Sequence, residues 1–142
     1  MDRNADARWT GDLKTGQGHI RLGSGAFEGP YSFMSRFENG SGTNPEELLG
    51  AAHAGCFSMA LSLALTTAGH TPTRVTTTAT VHLSNTGSGF AITGIDLMTR
   101  GLVPGISAAE FERLAQETKV GCIVSRALAA VPMTLDAQLV GA

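Results

Sequence analysis

Two cysteines stand in this sequence, Cys56 and Cys122, 66 positions apart and neither in a C-x-x-C pair. A thiol can be a small buried hydrophobe, a metal ligand or, as thiolate, a nucleophile that cycles through oxidation, and the count leaves all three open. What would make Cys56 reactive is a cation that holds its thiolate, and an arginine braced by a carboxylate is a rigid way to supply one. Arg36, in Ser35-Arg36-Phe37, and the acidic pair Glu46-Glu47 are the candidates near it in sequence. Cys122 follows Gly121 at the expected start of a further helical turn, 123–130, where free N–H groups favour a thiolate.

His53 stands three residues before Cys56, a spacing that suits two metal ligands or a Cys–His couple. His19, His70 and His82 fall on loops and a strand, so no tetrahedral ligand set emerges and no metal is expected. No third residue orients His53 as an acyl-transfer base, and a satisfied interior histidine is the expected role. The glycines form neither G-x-G-x-x-G after a strand nor a phosphate loop, so no nucleotide cofactor is expected. Trp9, Tyr31 and the six Phe read as core or pocket lining.

The element that must position Cys56 begins at Asn44-Pro45-Glu46-Glu47, with Asn44 as cap, Pro45 at the first helical position and Glu47 at the third. The helix is expected to run to Gly69 and is apolar on every side from Leu48 to Leu65, so lipid or protein must surround it. It has no Lys/Arg or Trp/Tyr flanks and lies among strands, which points to protein rather than a membrane. Gly50/Ala54 and Ala51/Gly55, at spacing four, would admit a second helix closely. On one straight helix Glu46 and Cys56 are separated by about 15 Å. They cannot share a site within one copy, but they meet if two copies cross in a symmetric dimer.

A second helix has Ser107 as cap, Glu110 completing a capping box and Ile106 facing Phe111 as a staple; it is expected to run to about Lys119. Around the helices, residues 8–13, 19–22 and 31–37 read as a glycine-punctuated antiparallel meander. Residues 75–83 alternate apolar and Thr/His positions, pair with 90–100 as a hairpin, and 133–139 close the pattern as a last strand.

Composition sets the outer limits. The chain has 142 residues, a net charge of -2 and 15% charged residues, against 42% apolar. One domain, 1–142, is the natural reading, and it can bury a full core. A near-neutral balance argues against nucleic acid as a partner. A charged fraction below the usual ~25% leaves too few charges for a large free surface. Nothing at the N-terminus reads as a signal segment, so a cytoplasmic, reducing compartment is expected and a permanent disulfide is not.

Several stretches resemble the osmotically inducible protein C (OsmC) family, a sister of the organic hydroperoxide resistance (Ohr) proteins, and the OsmC branch most closely. They are Tyr31-Ser32-Phe33-Met34-Ser35-Arg36-Phe37-Glu38, Gly42-Thr43-Asn44-Pro45-Glu46-Glu47-Leu48, Gly50-Ala51-Ala52-His53-Ala54-Gly55-Cys56-Phe57-Ser58 and Gly121-Cys122-Ile123-Val124-Ser125. The resemblance implies an α+β fold, antiparallel sheets wrapped around two central helices, in an intertwined homodimer with its active sites at the subunit interface. It implies a stress-response peroxidase that reduces organic hydroperoxides, and hydrogen peroxide more weakly, without a cofactor. Cys56 then matches the peroxidatic cysteine, Cys122 the cysteine that resolves its sulfenic acid to a disulfide, Arg36 the arginine that holds the thiolate and Glu46 its carboxylate partner. A dithiol such as a lipoylated protein would reopen the disulfide. Phe57, Met34 and Met59 are expected to make the substrate pocket apolar. Many relatives have Pro where this chain has Ile123. A non-enzymatic stress or small-molecule-binding protein of the same fold is the alternative.

Overall fold

In the computed structural model, which describes residues 1–141, the chain forms two compact units, Met1–Leu48 and the remainder from Leu49. The first unit is an antiparallel sheet in the order β1 (Ala5–Thr10), β2 (Gln17–Leu22), β3 (Glu28–Tyr31), followed by a short helix, α1 (Phe33–Phe37). The first strand lies earlier than the expected 8–13 because Gly11 turns the chain at φ +94°, and the Asp12 carboxylate closes that turn on the N–H groups of Lys14 and Thr15. Of the expected strand at 31–37, Tyr31 ends β3 and residues 33–37 form α1 instead. Ser32 accepts from the Ser35 N–H and Ser35 Oγ from the Ser32 N–H, a reciprocal cap that outweighs the aromatic strand propensity of the segment.

The turn after α1 is tied to it. Ser35 Oγ donates to the Thr43 carbonyl at 2.7 Å, and Asn44 Nδ2 to the Ser35 carbonyl at 3.1 Å. Gly42, at φ +108°, passes so close to the Pro30 carbonyl that a Cβ there would lie 2.8 Å from it. Asn44 Oδ1 then caps the Glu47 N–H at 2.8 Å and starts α2 (Pro45–Thr67), 23 residues long, which runs from the first unit into the second.

The second unit packs α2 and two further helices, α3 (Ala108–Gly121) and α4 (Ile123–Ala127), with a sheet in the order β4 (Arg74–Asn85), β5 (Phe90–Leu102), β6 (Met133–Leu139). β4 and β5 form the expected hairpin, shifted in register between His82 and Leu83. The closing strand departs from the all-antiparallel expectation: β6 runs parallel to β5, because the chain crosses over through α3 and α4 before returning. α3 is capped by Ser107, which accepts from the Glu110 N–H at 3.2 Å, while the Glu110 carboxylate reaches His70 Nε2 at 3.7 Å. The core comprises Phe57, Leu61 and Leu65 of α2, Ile95 and Leu97 of β5, and Phe111 and Leu114 of α3. Gly101 is required where it stands, since a Cβ would lie 2.3 Å from the Phe111 ring.

α2 is long and apolar enough to cross a membrane by length and composition, with a mean hydropathy of 1.6. Its buried stripe, His53, Phe57, Leu61 and Leu65, faces the core. The other side is bare: Ala51, Gly55, Met59 and Leu63 are exposed, the last two at 77% and 69%. The protein surroundings expected on all sides of this helix are therefore half supplied within one chain.

Candidate active site

The polar cap network around Ser32, Ser35 and Asn44 fixes α1 against the start of α2, and this brings Arg36 onto Glu46. Arg36 Nη2 donates to Glu46 Oε1 at 2.8 Å, and Nε donates to both carboxylate oxygens at 3.2 and 3.3 Å. The carboxylate is buried, its side chain 9% exposed, whereas the guanidinium stays 39% exposed and packs 5.2 Å over the Phe37 ring. Fork-to-carboxylate pairing of this kind fixes the cation's orientation and keeps its remaining N–H donors available. Beside Arg36 opens a cavity of about 440 Å³ walled by Trp9, Leu13, Tyr31, Phe33 and Phe37. Its rings brace one another, Trp9 on Tyr31 at 5.4 Å and Phe33 on Phe37 at 5.0 Å between centroids.

In the second unit Cys56 of α2 meets Cys122, the residue before α4, with the two Sγ atoms 3.1 Å apart in S–H···S contact. Both are free thiols, Cys122 2% exposed and Cys56 half-buried. Closing that gap to a disulfide of about 2.05 Å needs a shift of only about 1 Å. The contact depends on the kink between α3 and α4, where the Cys122 N–H still bonds the Thr118 carbonyl at 2.8 Å while its own carbonyl accepts from Arg126 at 2.9 Å.

Burial pushes the Cys56 thiol up, and the adjacent Cys122 pushes it further, against the N–H groups of Val124 and Ile123 that pull it back. Burial also raises Cys122, but the N–H and hydroxyl of Ser125, the Cys56 thiol and the Val124 N–H outweigh it and bring this thiol below its ordinary value. The surroundings within one chain thus oppose ionisation of Cys56 and favour that of Cys122, and a nearby cation would offset the opposition at Cys56. Next to the sulfurs, His53 Nε2 lies 2.7 Å from Ser125 Oγ.

The four chemical residues read from sequence thus assemble as two pairs, Arg36 with Glu46 and Cys56 with Cys122. Of the expected pocket residues, Phe57 is 0% exposed and packs in the core, while Met34 and Met59 are 50% and 77% exposed. Trp9, Tyr31, Phe33 and Phe37, read from sequence as core or pocket lining, form the aromatic wall beside Arg36, which Trp9 and Tyr31 join through strand pairing of Trp9 with Gly18 and of Gly18 with Tyr31. Ser125 was missed, although His53/Cys56 and Cys122/Ser125 share one spacing of three residues. Among the described residues, no group of three or more His, Cys, Asp or Glu is placed to hold a metal ion.

An α+β fold that holds two free thiols in contact, one on a core helix and one at a helix kink, defines a redox-type cysteine protein. Residues 38–136 match the family described as OsmC-like protein, and the chain belongs to that family. It is 52% identical over 140 residues, 98% of this chain and 97% of the relative, to the peroxiredoxin OsmC of Escherichia coli (strain K12), and equally to that of Shigella flexneri. Among solved structures, the organic hydroperoxide resistance protein OhrB of Bacillus subtilis shares the fold at a TM-score of 0.74 and 22% identity, covering 95% of this chain and 98% of that one. An OsmC-like protein from Mycoplasma pneumoniae does so at a TM-score of 0.73 and 17% identity, covering 99% of this chain and 100% of that one.

Proposed function

We propose that this chain is a thiol-dependent peroxidase that reduces organic hydroperoxides, and hydrogen peroxide more weakly, through Cys56 and Cys122. The observation that carries the reading is the 3.1 Å contact between two free sulfurs from different elements. Cys56 is the half-buried member and Cys122 the sealed one, so the substrate reaches Cys56 first. The Cys56 thiolate attacks the distal peroxide oxygen, the O–O bond breaks, and the alkoxide leaves as alcohol after taking a proton. Cys122 then condenses with the sulfenic acid to a disulfide and water. A dithiol, a lipoylated protein being one form, restores both thiols by exchange.

The reading includes a second copy of the chain. Glu46 and Cys56 are carried on one helix with about 15 Å of rise between them, so the Arg36–Glu46 pair serves the Cys56 of the other copy, where the guanidinium supplies the cation that Cys56 lacks. The bare stripe Ala51, Gly55, Met59 and Leu63 supports this, since it is apolar and a Cβ at Gly55 would meet nothing. The aromatic cavity beside Arg36 suits an alkyl or aryl hydroperoxide. The two units act as one domain through α2, in a soluble and cytoplasmic protein.

Steady-state turnover of an alkyl hydroperoxide with a dithiol tests the reading. Cys56→Ser is expected to fall to background, a loss of at least about 1000-fold. Cys122→Ser is expected to consume one equivalent and stall as a trappable sulfenic acid. Undiminished turnover by Cys56→Ser overturns the assignment.

A further inference from the structure

Cys122 is carried into the site by a weak element. It stands just before α4, a helix of only five residues, too short to hold its shape unaided. No side chain caps that helix at Cys122, and its first residue, Ile123, is 75% exposed. Val124 packs only partly against the core. The buried residue of α4 is a polar one, Ser125, at 4% exposure.

The partner of Ser125 is on α2. Its Oγ lies 2.7 Å from Nε2 of His53, which is 0% exposed and stands three residues before Cys56. Three residues forward on α2 and three back from Ser125 lead to the 3.1 Å contact of Cys56 Sγ with Cys122 Sγ. Two rungs about one helical turn apart thus join these segments, and the peroxidase reading uses only the sulfur rung. The polar rung is not free of cost. His53 Nδ1 is buried and has no hydrogen-bond partner, a defect that an apolar pair of similar volume would not carry. What the polar pair supplies instead is direction: a hydrogen bond holds its two atoms to a narrow range of length and angle, whereas an apolar contact can slide.

We propose that His53 and Ser125 are positioning residues of the peroxidase reaction, their hydrogen bond locking α4 onto α2 and so holding Cys122 within reach of Cys56. The proposal rests on the reading that Cys122 resolves the Cys56 sulfenic acid. In that step the Cys122 thiolate attacks the Cys56 sulfur, the S–S bond forms as the S–O bond breaks, and the departing hydroxide takes the proton that Cys122 shed on ionising, leaving as water. Cys122 is oxidised and the sulfenic sulfur reduced. The pair takes no part in these bond changes; its contribution is the effective concentration of one sulfur at the other. The same quantity governs the finished disulfide, so the pair also sets how readily a dithiol reduces it.

Single-turnover oxidation by tert-butyl hydroperoxide reads closure, with sulfenic acid followed by dimedone trapping and disulfide by non-reducing mass spectrometry. Equilibration with dithiothreitol reads the reduction potential, and urea midpoints of the reduced protein read stability. Ser125→Ala and His53→Leu are each expected to slow closure about 10- to 100-fold, the scale for a misplacement of about 1 Å, and to shift the dithiothreitol equilibrium toward the dithiol. Both also destabilise, since each leaves the other partner buried and unpaired. The double variant His53→Leu/Ser125→Ala separates the two effects. Without the unpaired group its urea midpoint is expected to recover toward the wild type, while closure stays slow and the disulfide stays easily reduced. Ser125→Thr, which keeps the hydroxyl, is expected to close faster than Ser125→Ala. Wild-type closure and potential in Ser125→Ala, or recovery of closure along with stability in the double variant, overturns the positioning role and leaves the peroxidase reading standing. Failure of the wild-type protein to form the disulfide at all overturns the resolving role of Cys122 and the positioning role with it.

Discussion

The Arg36–Glu46 centre and the Cys56–Cys122 centre are built by opposite means. Arg36 stands on a five-residue helix, 39% exposed, and is placed by a mesh of hydrogen bonds among Ser32, Ser35, Thr43 and Asn44. The sulfurs are placed by a hydrophobic core, with Phe57 and Leu61 of α2 fully buried around the same helix. A guanidinium in wet surroundings keeps its charge at small cost, but water also weakens what that charge can do. Sulfurs in a core are held closely, yet burial opposes the ionisation that makes Cys56 useful. Each centre has what the other lacks, and the proposed reaction needs a fixed cation against a sulfur withdrawn from water.

Removing the cation is the largest expected disruption. Arg36→Ala should lower kcat/KM for an alkyl hydroperoxide about 100- to 1000-fold, the usual scale for losing one charge-stabilising donor. Arg36→Lys should recover part of this, because it keeps the charge and loses the fork on Glu46. Wild-type rates in Arg36→Ala would separate the two centres functionally. The next test leaves both intact and removes their proposed meeting. Leu63→Asp puts a charge at a site 69% exposed in one chain, so the fold should tolerate it. Light scattering should report a smaller assembly, and activity in dilute solution should fall toward the Arg36→Ala level without passing below it. A Leu63→Asp protein that is monomeric and fully active would sink the two-copy arrangement.

How much of this was legible in the sequence depended on whether the signal was local. The start of α2 could be read because Asn44, Pro45 and Glu47 occupy adjacent cap positions, and the β4–β5 hairpin because its apolar and Thr positions alternate. The strand expected at 31–37 ends at Tyr31 because two serines three apart outbid the strand propensity of Phe33 and Phe37. The parallel pairing of β6 could not be read, since an alternating strand looks alike in either direction and the crossover decides. Arg36 and Glu46 were legible as types, ten positions apart across a loop that closes on itself. Phe57 was expected in a pocket from its place beside Cys56, but one step along a helix turns the side chain about 100° away, into the core. Ser125 has a meaning only once α4 is folded against α2.

The smallest expected effect isolates the sealed centre by pH. Burial holds the His53 pKa below its ordinary 6.5, so below that pH the unfolded chain binds a proton that the folded chain refuses. Its contribution to stability is complete above pH 6.5 and is lost progressively on acidification, with a slope of at most about 1.4 kcal/mol per pH unit for one proton. The lowered carboxyls act in a lower window, since Asp12, held by Thr15, Asp96, held by Thr134, and Asp136, held by Arg100, all titrate below 3.8. Urea midpoints measured across mildly acidic pH should therefore slope in the wild type and flatten in His53→Gln. A slope that survives His53→Gln would mean that the titrating group lies elsewhere and that burial of His53 does not set the acid limit of the fold.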